Sequence, residues 1–263
     1  MVIALTGVLV AVVGRFILPP VQGYLAVAAR TALVDSADGA LRRIGRELRA
    51  SLPNSARASA DGLTLEFIPT TGAARYATAG SGALDFGVVD TSFDLVGPGL
   101  ALSPGQSVVF YNLGPAVAGS NAYAPIGTAA EQSVANRRTV GNAAGTATTV
   151  TLNSLAGLPP ANQAAPYRVT AVADPVTYRC DLTAGTLTRY TGYGFVATQP
   201  EPPVGGSQAL LASGVTACRF SADGTVVAAR AALVQLRLGL STTTPMGTET
   251  VTLHHAVHVD NLP

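Results

Sequence analysis

MVIALTGVLVAVVGRFILPPVQGYLAVAARTALVDSADGALRRIGRELRASLPN, residues 1–54, fixes the architecture of this chain. Its opening, Met1 to Leu18, is apolar apart from Thr6, Gly7, Gly14 and Arg15. That run is short of the roughly 20 residues a helix needs to cross a bilayer. A cleaved secretory signal calls for a positive segment ahead of the apolar run; none precedes it, and Ala26-Val27-Ala28 is the only cleavage-like site. A buried core helix keeps a polar face, which this run lacks. The remaining reading is a membrane-inserted helical stem whose first few residues lie upstream of the deduced start. Val2, Ile3, Leu5, Val8, Leu9, Val12, Val13, Phe16, Ile17 and Leu18 are the residues expected to meet lipid or other stems.

Pro19-Pro20 comes next, and proline removes a backbone donor and clashes with the preceding turn, so a bend is expected there. Beyond it, Val21, Leu25, Ala28, Ala32, Leu33, Ala37, Leu41, Ile44, Leu48 and Leu52 recur at three- and four-residue steps. The spacing predicts an amphipathic helix over 21–52 whose stripe lies across a sheet. Arg42, Arg43, Arg46, Glu47 and Arg49 take the other side as a solvated face, with cations near the helix C-terminus, where the dipole favours them. Residues 1–55 thus form a stem, and 56–263 a separate head.

After Ala56, Gly, Thr, Ser and Pro rise and short alternating runs replace helical spacing. Strands are predicted at Leu63–Ile68, Ser107–Tyr111, Thr148–Leu152, Tyr167–Val172, Val176–Cys180 and Thr186–Tyr190. Later ones are Ala217–Phe220, Thr225–Arg230, Leu233–Leu238 and Glu249–Val259. Thr183-Ala184-Gly185 and Ala222-Asp223-Gly224 carry hairpin-turn chemistry. Gly114–Gly145 and Gln199–Ser207 look like long surface loops. The fold class is α+β: a long N-terminal helix packed on an antiparallel β head of two sheets.

The composition excludes several functions. A net charge of +1 and 12% charged residues leave no electrostatic footprint for nucleic acid. All 16 basic residues are arginine. With no lysine there is no Walker-A phosphate loop and no Schiff-base or pyridoxal-phosphate chemistry. Cys180 and Cys218 are the only cysteines, each in a β-like run, and an exported chain with a single pair most simply joins them.

Type IV prepilins carry a short basic leader ending in glycine, then a Phe-Thr-Leu-Ile/Val-Glu box that opens the apolar helix. Met1–Leu9 resembles the apolar run after that glutamate, which implies a start codon placed late or a truncated chain. About six restored residues bring the run to spanning length. Leu52-Pro53-Asn54-Ser55, Leu65-Glu66-Phe67-Ile68-Pro69, Tyr178-Arg179-Cys180-Asp181-Leu182 and His254-His255-Ala256-Val257-His258-Val259-Asp260-Asn261-Leu262-Pro263 are further blocks of likeness. Together they resemble the O-type minor pilins of the mannose-sensitive haemagglutinin (MSHA) pilus system. The resemblance implies a non-catalytic, low-abundance subunit that helps start or cap pilus assembly. It sits in the bacterial inner membrane with a periplasmic head. Its implied partners are other major and minor pilins, the inner-membrane assembly platform and, with the N-terminus restored, a prepilin peptidase. The alternatives are a pseudopilin of a type II secretion system and an adhesin-like binding head; the absence of tryptophan weakens sugar stacking in the latter.

No cofactor or metal site is expected. On a strand His254, His258 and Asp260 share one face and His255 points to the other, with His254 and His258 about 13 Å apart. Gly192-Tyr193-Gly194-Phe195-Val196-Ala197 matches a loose dinucleotide fingerprint but leads into Pro200 and Pro202-Pro203 rather than a helix. Asp85, Asp90 and Asp94 lack calcium-loop spacing.

Overall fold

A computed structural model describes residues 1–222, 231–260 and 262, without the side chains of 17–19 and 231. The apolar and amphipathic stretches form one helix, α1 (Val2–Arg49), of 48 residues. The helix runs unbroken through Pro19-Pro20. α1 ends as Leu52 donates to the Ile68 carbonyl and Thr70 donates back to that of Ala50. This exchange turns the chain into the head before Pro53.

The strands are β1 (Arg57–Ala58), β2 (Thr64–Phe67), β3 (Thr70–Tyr76), β4 (Ser92–Val96), β5 (Leu100–Leu102) and β6 (Ser107–Phe110). After a single-turn helix α2 (Ala129–Gln132) come β7 (Arg137–Thr139), β8 (Gly145–Ala147), β9 (Thr149–Thr151) and β10 (Arg168–Val172). β11 (Val176–Asp181), β12 (Thr186–Thr191), β13 (Ser207–Ser213), β14 (Val215–Ala222), β15 (Ala231–Thr244) and β16 (Gly247–Asp260) complete the chain. Among the described residues they form four antiparallel sheets: β1-β2-β11-β12-β13, β7-β6-β10-β3-β4-β9, β14-β15-β16 and β5-β8. The expected two sheets are therefore corrected to four. Alternation reports which face of a strand is buried and does not report which strand pairs with it.

β2 and β11 are hydrogen-bonded neighbours, Val176 opposite Phe67, yet the whole of β3–β10 lies between them in sequence. The head is thus a helix-packed unit with a second lobe inserted at the β2–β11 junction. The first unit has one core. Leu33, Ala37, Leu41, Ile44 and Leu48 of α1 meet Phe67, Tyr178 and Leu187 of the five-stranded sheet and Leu236, Leu238 and Val257 of the three-stranded sheet. The inserted lobe has its own core around Tyr76, Phe93, Phe110 and Val169. Tyr76 and Phe110 rings meet edge to face at 5.9 Å. A small cluster of Leu52, Ile68, Val109, Tyr123 and Val172 joins the two.

Other expectations shift. Val21, Leu25, Ala28 and Ala32 are not buried, so the stripe is covered only from Leu33 onward. The helix overhangs the head, and spacing alone does not say where its support begins. Gly114–Gly145 is no simple surface loop: it holds α2 and β7 and buries Tyr123, Asn136 and Arg138. Strand β3 escapes a pattern reading because its exposed and half-buried positions alternate through Gly72, Ala73 and Ala74, which carry little contrast in polarity. The Thr225–Arg230 strand and the Asp223-Gly224 turn lie outside the described residues. At the corner from β13 to β14, Gly214 has φ +73°, and a Cβ there would meet the Ser241 carbonyl. Only glycine fits that corner.

Candidate functional site

The stem is the first candidate. Val2, Ile3, Leu5, Val8, Leu9, Val12, Val13 and Phe16 are all exposed on α1. The side chains of Ile17, Leu18 and Pro19 are outside those described, and Pro20 is exposed. Val21, Tyr24, Leu25 and Val27 continue the exposed apolar surface. The overhang from Val2 to Ala32 is about 46 Å long at 1.5 Å per residue, against a hydrocarbon core of about 30 Å. α1 is long and apolar enough to cross a membrane, and none of its most apolar window is buried against the head. Within that stretch the Thr6 hydroxyl donates to the Val2 and Ile3 carbonyls at 3.1 and 3.0 Å. Its polarity is thereby satisfied inside the helix, as lipid demands.

Arg30 marks the neck. Its guanidinium reaches Glu249 of β16 at 2.9 Å, tying the overhanging helix to the head. Further along, Glu47 receives Arg43 at 3.2 Å and Arg189 of β12 at 3.0 Å. Arg43 and Glu47 are partly buried, which corrects the expected solvated face; Arg42, Arg46 and Arg49 remain exposed. Beneath this pair, burial and then the Glu47 carboxylate push the Tyr178 hydroxyl up from its ordinary range.

The cysteines pair. Cys180 on β11 and Cys218 on β14 form a disulfide with Cα atoms 6.4 Å apart. It joins the five-stranded sheet to the three-stranded sheet across the core that α1 fills. A disulfide of this kind fits an oxidising compartment.

The head's charged interior was not legible in the sequence. Glu66, fully buried on β2, accepts from Arg57 at 2.6 Å and from the Tyr193 hydroxyl at 2.8 Å. Burial raises the Glu66 pKa, and the bonds from Arg57 and Tyr193 oppose that rise. Arg57 also lies 3.7 Å over the Tyr123 ring and donates to the carbonyls of Val196 and Ala197. The Gly192–Ala197 segment is therefore a strap whose Tyr193 reaches the Glu66 carboxylate, and it opens no helix. Arg138 has no carboxylate partner among the described residues. Its guanidinium donates to the carbonyls of Gln132, Ala135, Arg137, Ala156 and Gly157, and burial pushes its pKa down to about 10. Clustered buried arginines within a Gly/Ala-rich stretch carry no pattern that separates them from surface charge.

The discounted candidates fall into ordinary roles. His254 and His258 are exposed on β16 while His255 faces α1, where its ring lies against Gly45. Asp90 accepts from the backbone of Asp85 and Ser92, and Asp94 from Thr149. Among the described residues no three His, Cys, Asp or Glu side chains are grouped to hold a metal ion. No family model, curated protein or solved structure matches the chain. The arrangement is that of a stapled β head carried on an exposed apolar helix.

Proposed function

We propose that the chain is a minor pilin: a membrane-held subunit that acts in starting or assembling a type IV pilus of the MSHA kind. One observation carries this reading. A single helix packs its C-terminal part into the head's core, and none of the most apolar window of its N-terminal part is buried. Such a helix is a handle for a second environment. Before assembly the exposed part lies in the bacterial inner membrane, and the disulfide-bonded head faces the periplasm. On incorporation the stem exchanges lipid for packing against other stems, and the head supplies surface to neighbouring pilins. The Thr6 back-bond and the Arg30–Glu249 neck support the division of labour along α1. The assembly platform of the inner membrane and, for an extended N-terminus, a prepilin peptidase are its further partners.

Mass spectrometry of the native N-terminal peptide, from an envelope fraction of the source cells, tests this. The expected result is a methylated phenylalanine a few residues upstream of Met1, followed by a glutamate-containing box. A mature terminus near Arg30, in soluble periplasm, overturns it.

A further inference from the structure

Among the described residues β16 is the outer strand of its sheet, hydrogen-bonded to β15 alone. It pairs residue for residue from Gly247 to Asp260 with no bulge. An open edge invites another strand, and proteins normally blunt long ones with a bulge, proline or lysine. This edge has none of the three over 14 residues. α1 packs on the face carrying His255 and Val257, whereas Thr252, His254 and Ala256 are exposed on the other.

That outer face carries a row of two arginines and a histidine. Arg219 of β14 stands opposite Arg237 of β15, which stands opposite His254 of β16. Two guanidiniums set directly opposite each other destabilise a sheet. Neither arginine has an ion-pair partner among the described residues. The row lines a groove of about 550 Å³ together with Ser221 and Gln235.

From these two observations we infer that the β16 edge accepts an extended strand from another subunit, acidic at the position facing His254. The partner's being a pilus subunit rests on the proposed function; the docking itself rests on the edge and the row. Strand addition satisfies the free backbone groups of β16 without a preformed pocket. It also sets the incoming residue about 4.5–5.5 Å from His254 by Cβ, with a long side chain reaching toward Arg237. Charge selects the occupant. An antiparallel pair of β16 strands that sets His254 opposite His254 of a second copy would bring both rows together, four arginines and two histidines on one face. The full-length register instead sets His254 opposite Leu253 and puts the rows on opposite faces. The unpaired arginines therefore favour a carboxylate-bearing strand and disfavour a second copy in the register that opposes the two rows.

The test uses the full chain in detergent micelles and two short Thr-Val repeat peptides, one with glutamate and one with arginine at its centre. The glutamate peptide is expected to bind and to slow hydrogen exchange at β16 amides, while the arginine peptide binds at least about tenfold more weakly. Arg237→Glu, an exposed change, is expected to reverse the preference. Equal binding of the two peptides, no binding by either, or protection elsewhere than β16 overturns the inference. None of these outcomes depends on the state of the N-terminus, so this inference and the pilin reading fail separately.

Discussion

Glu66 has no solvent exposure, and its two oxygens are taken by Arg57 and Tyr193. Removing one member of a buried ion pair strands the other charge. Glu66→Leu is therefore expected to cost about 3–5 kcal/mol, whereas the Arg57→Met/Glu66→Leu double variant recovers most of it. Urea unfolding of the four proteins of this cycle measures the difference. The same carboxylate gives a pH dependence. Because burial raises its folded pKa above the ordinary 4.5, the native state holds a proton that the unfolded chain has lost in the range just above that value. Its contribution to stability is thus full at low pH and declines as pH rises through that window. The wild-type minus Glu66→Gln difference in unfolding midpoint should shrink or turn against the wild type between pH 4.5 and neutrality. Local pattern gave no sign of this: Leu65-Glu66-Phe67 alternates like any half-exposed strand, and only the packing of Tyr123 and the 192–197 strap closes the polar side.

At the scale of elements, α1 is one helix with two energetic halves. Ile44 and Leu48 are fully buried among the sheets, and truncating either to alanine should cost about 2–5 kcal/mol. Leu9→Ala, on the exposed half, should leave the head's unfolding within about 0.5 kcal/mol of the parent. Equal effects would show that the stem folds back on the head. The Cys180–Cys218 bond staples two sheets across a separation of 38 residues. By the loop-entropy argument its loss costs about 4 kcal/mol, and thermal melts with and without reductant measure it. The stripe of α1 and the cysteine pair were legible because helical spacing and cysteine arithmetic are local signals. The point at Leu33 where burial begins was not, since it depends on how far β16 extends beneath the helix.

At the scale of the molecule, the overhanging stem defines the chain's behaviour. A charge in the middle of a spanning helix costs about 2.5–3.5 kcal/mol of insertion free energy. Val8→Asp is therefore expected to shift the full chain from the membrane toward the soluble fraction on cell fractionation, while the head's melting temperature holds. Retention of the variant in the membrane, in the amounts seen for the parent, would mean that α1 is held there by something other than its apolar surface. The inserted lobe, β3 to β10, is a separate core joined through Leu52, Ile68, Val109, Tyr123 and Val172. Its substitutions should leave membrane retention untouched.

The order of residues along the chain was enough for a long apolar-then-amphipathic helix, a β-rich head, the cysteine pair and the lack of lysine chemistry. Each of these is written in nearest-neighbour order, in periodicity or in composition. Tertiary packing settled the rest: four sheets among the described residues where two were expected, a lobe inserted between the paired strands β2 and β11, the buried places of Glu66 and Arg138, and the outer position of β16 in its sheet. Those depend on which strand lies beside which. Strand pairing joins residues about a hundred positions apart through backbone hydrogen bonds that every sequence can make, so no local pattern of side chains records it.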